Sequence, residues 1–207
     1  MQDIVSSNSV TLVGTVGSEF KLSHEVYCEK FYCFILQTPR LSGNTDNIVI
    51  TASQELLHCN NLKSGETICI SGQFRSYNNN TPCGNKLVLT VFAKDIKRVN
   101  MSACSCSTNE IKLSGFICKP PIFRITPFGR EIADLLVAVN RTYNKSDYIP
   151  CIAWGRNAKY ASLLSVGDKI TITGRIQSRE YQKKICDDET VTKIAYEVSI
   201  SKITKDE

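Results

Sequence analysis

Histidine is nearly missing from this sequence: His24 and His58 are the only two. Imidazole chemistry, from nucleophile activation to metal ligation, therefore has little to work with. Cysteine does not fill the gap. Of the ten cysteines, at 28, 33, 59, 69, 83, 104, 106, 118, 151 and 186, only Cys104 and Cys106 lie close together, and they lack the C-x-x-C spacing of a zinc knuckle. No G-x-S-x-G, Walker loop or H-E-x-x-H occurs. The acidic run Asp187-Asp188-Glu189 reads as a solvated turn rather than a metal nuclease centre. Neither an enzyme nor a cofactor or metal is expected. No window approaches the ~20 apolar residues of a membrane span. Met1–Asn8 carries no basic region followed by an apolar one, so no secretion signal is expected. The expected location is cytoplasmic, with Cys33, Cys69 and Cys151 acting as small reduced hydrophobes inside strands.

What is present is an internal repeat. Asn8-Ser-Val-Thr-Leu-Val-Gly14 returns as Asn109-Glu-Ile-Lys-Leu-Ser-Gly115, an offset of 109 − 8 = 101. The same offset carries Arg40 onto Arg141, Asp46 onto Asp147 and Ile48 onto Ile149. With one inserted residue, Gly65 falls on Gly167 and Gly72 on Gly174. A shared offset over so long a stretch marks a tandem duplication. Residues 1–99 and 109–207 form the two copies, and the small polar residues 100–108 read as a linker. Net charge is unequal. The first 108 residues hold 9 Lys/Arg against 8 Asp/Glu, and the remainder 16 against 12, so +1 and +4. A modestly basic second copy suits an anionic partner.

Each copy predicts five strands with one short helix between strands 3 and 4. In the first, strands fall near 9–16, 30–38, 47–52, 67–76 and 86–96, with a helix near 53–61. In the second, a strand beginning at Ile111 is followed by Glu131–Asn140, Tyr148–Trp154, a helix over Asn157–Val166, then Lys169–Ser178 and Val191–Ile203, with Tyr181–Thr190 as a charged hairpin loop. That order is the OB-fold order. The fold class is all-β: two tandem OB-fold five-stranded β-barrels.

The second copy has an unusual outer face. Along Asp147–Arg156, alternation places Tyr148, Pro150, Ile152 and Trp154 on one side and Ile149, Cys151 and Ala153 on the core side. Trp154 is the chain's single Trp. Along Lys169–Tyr181, Ile170, Ile172, Gly174 and Ile176 face the core, leaving Arg175, Arg179 and Tyr181 outside. If these two strands are neighbours, aromatic rings alternate with guanidinium groups. Rings stack on unpaired bases and cations neutralise the phosphates between them. A polar sheet face using its aromatics for cross-strand packing, or an interface unique to this copy, stands as the alternative. Lys119, Arg124 and Arg130 around the first hairpin and Lys183 and Lys184 in the last are each ordinary solvated charges singly. Together they would rim the groove of an OB fold.

On these residues the second copy resembles the bacterial and phage single-stranded DNA-binding protein family. The motifs are Asn109–Gly115, Thr126-Pro-Phe-Gly129, Leu136-Val-Ala-Val-Asn-Arg141, Asp147–Arg156 and Gly174-Arg-Ile-Gln-Ser-Arg-Glu-Tyr181. The resemblance implies sequence-independent binding of single-stranded DNA in replication, recombination and repair, in association with the nucleoid. It implies base stacking on Tyr148, Trp154 and Tyr181, with Tyr143 near a fourth stacking position. Arg141, Arg156, Arg175, Arg179, Arg130, Lys119, Lys183 and Lys184 are the expected cationic contacts. The first copy departs, with Asn47 at the Tyr148 position, Ser53 at the Trp154 position and Gln73 at the Arg175 position. It is expected to bind less and to serve assembly, with Phe31, Phe34, Phe74 and Phe92 in its core. Two OB folds per chain imply a homodimer. The end, Ser201-Lys-Ile-Thr-Lys-Asp-Glu207, lacks the family's acidic tail with an apolar tip, so recruitment of replication and repair proteins by that route is not expected. An OB-fold protein-interaction subunit of a primosome-type assembly, or an RNA-binding OB protein, are the rival readings.

Overall fold

The computed structural model describes residues 7–81, 84–99, 108–186 and 189–206. The stretch expected as a linker lies, apart from Thr108, outside them. So does the Asp187-Asp188 turn.

The first copy folds as β1 (Asn8–Val16), β2 (Lys21–Val26), β3 (Glu29–Pro39), β4 (Thr45–Ser53), α1 (Gln54–Asn60), β5 (Thr67–Thr81) and β6 (Gly84–Arg98). The second repeats this as β7 (Asn109–Ile117), β8 (Ile122–Ile125), β9 (Glu131–Asn140), β10 (Ser146–Trp154), α2 (Arg156–Ala161), β11 (Lys169–Cys186) and β12 (Glu189–Lys205). One continuous sheet runs β2-β3-β4-β6-β5-β1-β7-β11-β12-β10-β9-β8. Additional pairings of β1 with β3 and of β7 with β9 close each half into a five-stranded OB barrel. The helix sits between the third and fourth barrel strands in both. Among the described residues no helix is long and apolar enough to cross a membrane.

Two elements were not expected. Strands β2 and β8 are short arms paired only with β3 and β9, and they form the two outer edges of the sheet. The fifteen-residue and eighteen-residue strands β5 and β11 also run past their barrels into two-stranded hairpins. Residues 181–186, expected as a loop, therefore continue as strand. Helix α2 is shorter than expected, though Leu164 just beyond it is still buried.

Alternation explains the barrels. Leu12, Leu36, Ile48, Ile50, Ile68, Ile70 and Phe74 are fully buried in the first, and Leu113, Val137, Ile149, Ile170, Ile172, Ile176 and Val198 in the second. Each interior excludes water from a continuous apolar surface, the main favourable contribution to folding. Gly72 and Gly174 mark matching bulges in β5 and β11. A Cβ there would sit 2.3 Å from the Phe92 and Ser199 carbonyl oxygens respectively, so only glycine lets the paired backbones close.

The barrels join through their first strands. β1 pairs antiparallel with β7, with Val10 opposite Ile111 at the centre, Asn8 opposite Leu113 and Leu12 opposite Asn109. Because the repeat offset is 101, Val10 and Ile111 are repeat equivalents of each other, and the pairs Asn8–Leu113 and Leu12–Asn109 are equivalents of one another. The chain thus contains a pseudo-two-fold axis at Val10–Ile111. The flanking bonds obey it: Val13 N–H donates to the Thr108 carbonyl and Ser114 N–H to the Ser7 carbonyl, both at 2.8 Å.

The same axis relates two buried carboxylates. Asp46 and Asp147 are 1% and 0% exposed. Asp46 accepts the Ser178 N–H of the other barrel at 2.7 Å, while Asp147 accepts the Ser76 N–H at 2.6 Å. In return the Ser178 and Ser76 hydroxyls accept the Asn47 and Tyr148 N–H groups at 3.1 and 2.7 Å. Each carboxylate is held by an arginine of its own barrel. Arg40 Nε donates to Asp46 Oδ2 at 2.6 Å and its NH2 group reaches on to the Ser178 carbonyl at 3.1 Å. Arg141 Nε lies 3.1 Å from Asp147 Oδ2. Burial raises the Asp147 carboxyl above its usual range, and the Ser76 amide and the Arg141 and Arg75 guanidinium groups act against that rise.

A hydrogen bond to a charged group contributes roughly 1.5–3 kcal/mol. Asp46→Ala removes one arm of this clasp and is expected to lower stability by about 2 kcal/mol in urea unfolding. Lys97→Ala, which breaks only the exposed pair with Asp95, is expected to leave the midpoint where it was. Equal midpoints for the Asp46 variant and the unaltered protein would remove the clasp from the stability account.

Candidate functional site

Strand β10 presents Tyr148 and Trp154 on its outer side, 46% and 38% exposed, over a buried row of Ile149, Cys151 and Ala153. The fold does not demand either ring. At the equivalent of Trp154, Ser53 caps α1 by accepting the Leu56 N–H at 3.3 Å. Tryptophan has no acceptor to offer there, and α2 instead starts through Gly155. That residue has φ +53 and ψ −121, a conformation glycine adopts without the Cβ penalty. Its N–H donates to the Glu131 carbonyl at 2.9 Å, which ties the end of β10 to β9 beside Trp154.

Part of the expected outer face is arranged differently. Ile152, on the same side as Trp154, is buried, as is its neighbour Ile132 opposite Trp154 on β9. Strands β10 and β11 are not neighbours: β12 runs between them. The rings of Tyr148 and Trp154 are therefore separated from Arg179 and Tyr181 by a strand that brings in Glu197. Glu197 accepts the Gln177 amide at 2.7 Å and lies 3.8 Å from Arg179 Nε. Direct alternation of rings and guanidinium groups is replaced by two separate rows with a carboxylate between them. The sequence pattern gave the face of each strand but not the strand order.

The remaining cations divide by partner. Arg141 is committed to Asp147 at the barrel junction. Arg175 is half-buried in the crevice that Arg40 and Asp46 also line. Arg124, exposed on β8, donates to Asp134 at 2.8 Å. Lys119, Arg130 and Arg156 are exposed and make no ion pair among the described residues. Arg156 opens α2, directly after Trp154-Gly155. Tyr143 stands exposed at the β9–β10 turn with φ +62. Tyr181 is exposed on the β11 arm. Lys183 and Lys184 belong by backbone to β11, opposite Val191 and Thr190, and their side chains lie outside the described residues. Arg156 thus follows Trp154 by two residues at the start of α2, and Arg179 and Tyr181 stand two apart on β11.

Residues not singled out as site residues by the sequence reading are also exposed on the β8 arm, at the sheet edge beyond β9. Phe123 on β8 and Phe128 at its turn are exposed, with Ile122 and Ile125. The signal was the four-residue β-prone run Ile122-Phe-Arg-Ile125 bounded by Pro120-Pro121 and Pro127. In the first barrel, Phe34 and Phe74 are in the core cluster and Phe31 is buried, as expected, but Phe92 is only half-buried; Phe31 and Phe92 stand outside that cluster. They lie on the outer face, 5.7 Å apart, with the His24 ring stacked on Phe31 at 4.9 Å and Arg75 3.9 Å above Phe92. The expectation missed Phe92 because an aromatic residue satisfies either face of a strand.

Residues 108–203 match the model of the "Single-strand binding protein family". Single-stranded DNA-binding protein B of Bacillus subtilis is 31% identical over 83 residues, covering 37% of this chain and 74% of that protein. Single-stranded DNA-binding protein 3 of Clostridium acetobutylicum is 34% identical over 96 residues, covering 43% of this chain and 67% of that protein. Single-stranded DNA-binding protein A of Bacillus subtilis is 35% identical over 83 residues, and there the match spans about half the relative, 48%, and 37% of this chain. The wild-type single-stranded DNA binding protein from Thermus aquaticus superposes with a TM-score of 0.74 over 97% of this chain and 93% of its own, at 19% identity. The last likeness concerns the fold, and it includes both barrels.

Cys151, beneath Trp154, is buried, and burial pushes its thiol far above the ordinary range. Cys28 and Cys59 are exposed. Peptide mapping after brief native treatment with a thiol reagent is expected to find label on Cys28 and Cys59 and none on Cys151 until the chain is unfolded. Native labelling of Cys151 would place it outside the core.

Proposed function

From its membership of the single-strand binding protein family we propose that this chain binds single-stranded DNA without reading its sequence, protecting it during replication, recombination and repair. The observation that carries the reading is the pair Tyr148 and Trp154. Both rings are exposed on one strand face, and the first barrel builds the same strand with Asn47 and Ser53. A ligand accounts for rings that folding does not require. Duplex bases are already stacked on one another, whereas unpaired bases offer free π faces, each stacking contact contributing roughly 1–3 kcal/mol. Arg156 beside Trp154, and Arg179 beside Tyr181, supply charge for the intervening phosphates. Arg130 and Lys119 extend that charge towards the β8 arm. The second barrel leads in binding, because it carries these residues and the larger share of positive charge.

Addition of oligo-dT is expected to quench Trp154 fluorescence, and Trp154→Ala to weaken binding by about 1–3 kcal/mol. The affinity should fall steeply with added salt as counterions return to the phosphates. Unchanged fluorescence at low salt would overturn stacking at this ring. We further propose a homodimer with four barrels, supported by the pseudo-two-fold pair already present in each chain. Light scattering after gel filtration is expected to give twice the chain mass at micromolar concentration, and a single-chain mass there would refute the dimer.

A further inference from the structure

The first barrel's outer face holds a crevice of about 430 Å³ that crosses the barrel junction. Its lining includes His24, Arg75, Tyr77, Thr90, Phe92 and, from the second barrel, Arg141. The volume falls within the ~300–1,000 Å³ of small-molecule sites. Two guanidinium groups line it, one carboxylate, Asp147, acts on both, and Arg141 already pairs with that carboxylate. Arg75 is the surplus cation. Its NH2 group donates to Gln73 Oε1 at 3.0 Å and its plane covers Phe92. Its Nε is buried and makes no hydrogen bond among the described residues; Arg141 Nε and Asp147 Oδ2 make none either, but they lie 3.1 Å apart as an ion pair, which Arg75 lacks. The ring stabilises the charge but accepts no N–H bond in the guanidinium plane. Burial lowers the Arg75 pKa, Arg141 lowers it further, and Asp147 opposes them.

The pseudo-two-fold axis supplies an internal control. Across it, Arg40 and Asp46 make the same clasp one to one, and Gln177, bonded to Glu197, stands at the Arg75 position. Arg175 also lines that second crevice, from the strand position that Gln73 holds in the first. The clasp therefore does not need a cation at residue 75. A half-buried guanidinium kept beside another, with an unpaired N–H and the exposed Tyr77 beside it, is built for an anion.

We propose that this crevice holds one nucleotide unit, its phosphate bridged by Arg75 and Arg141 and its base against the exposed ring of Tyr77. The nature of the ligand rests on the single-strand reading above; its negative charge rests on the crevice alone. The first barrel then contributes a phosphate contact of its own, through Arg75 where the second barrel has Gln177. A strand bound there would pass from one barrel to the other at the clasp.

The test uses the full chain with Arg75→Gln, the residue found across the axis, and with Tyr77→Ala at an exposed position. Arg75→Gln is expected to weaken oligo-dT binding roughly tenfold, as loss of a charged hydrogen bond would. The salt slope should fall by about 0.7, one phosphate contact on a single strand. The urea midpoint should stay unchanged, and Arg75→Lys should recover part of the affinity. Tyr77→Ala should weaken binding with the salt slope intact. Thermal shift with dTMP and with inorganic phosphate separates the sources. Stabilisation by dTMP that Arg75→Gln abolishes identifies a site open to free nucleotides; an effect confined to oligo-dT identifies a site filled by a strand. Full affinity in both variants, with no dTMP shift, overturns the crevice proposal. If Trp154→Ala still weakens binding in that case, the stacking reading survives it. If oligo-dT fails to bind the unaltered protein while dTMP shifts it in an Arg75-dependent way, the crevice survives and the stacking reading does not.

Discussion

Two buried carboxylates, each answering a backbone N–H of the opposite barrel, hold this molecule in one arrangement. Asp46 and Asp147 sit where a desolvated charge is costly unless its oxygens are satisfied. Their partners, Ser178 and Ser76, come from the other half of the chain. A barrel that lost its neighbour would leave a carboxylate facing water or nothing, and the open edge of β1 or β7 beside it. Strand pairing supplies the register, and the carboxylates penalise departure from it. The arrangement resembles a symmetric dimer made within one chain, since each contact recurs across the Val10–Ile111 axis.

Such a frame frees the outer faces to diverge. In the second barrel the position after the third strand carries Trp154, and the helix begins through Gly155. In the first the same position is Ser53, which caps its helix. One residue cannot both cap and stack, so the repeat divides the roles. The fourth barrel strands diverge as well. Gln177 and Glu197 satisfy one another in the second barrel, while Arg75 leans on Phe92 in the first. The first barrel is therefore a different surface rather than a blank copy, with an aromatic group of His24, Phe31 and Phe92 in place of the exposed Trp154.

Several features were legible because they are local or periodic. The offset of 101 exposed the duplication, and alternation within β4, β5, β10 and β11 separated core from surface, Ile170, Ile172 and Ile176 against Arg179 and Tyr181. Asn8 and Asn109 head the two repeats for a reason the structure supplies. Each side-chain amide bridges the backbone of Phe74 or Ile176, donating at 2.7 or 2.6 Å and accepting at 2.9 Å. The arms β2 and β8 were hardly legible, β8 showing only as the short run Ile122–Ile125 between prolines. They have no buried side, every residue in both being exposed, so they carry no hydrophobic periodicity to read.

By itself, then, the sequence determined the repeat, the strand faces and the rings at 148 and 154. Those depend only on spacing along one strand, where geometry forces successive side chains to opposite sides. Tertiary structure alone decided which strands lie side by side. It placed β12 and Glu197 between the rows that were expected to touch, drew Arg141 to Asp147, and set Arg75 beside Arg141 across a barrel boundary. Strand order and charge pairing depend on residues far apart in the chain meeting in space. No local pattern encodes which guanidinium group will find a carboxylate and which will be left over.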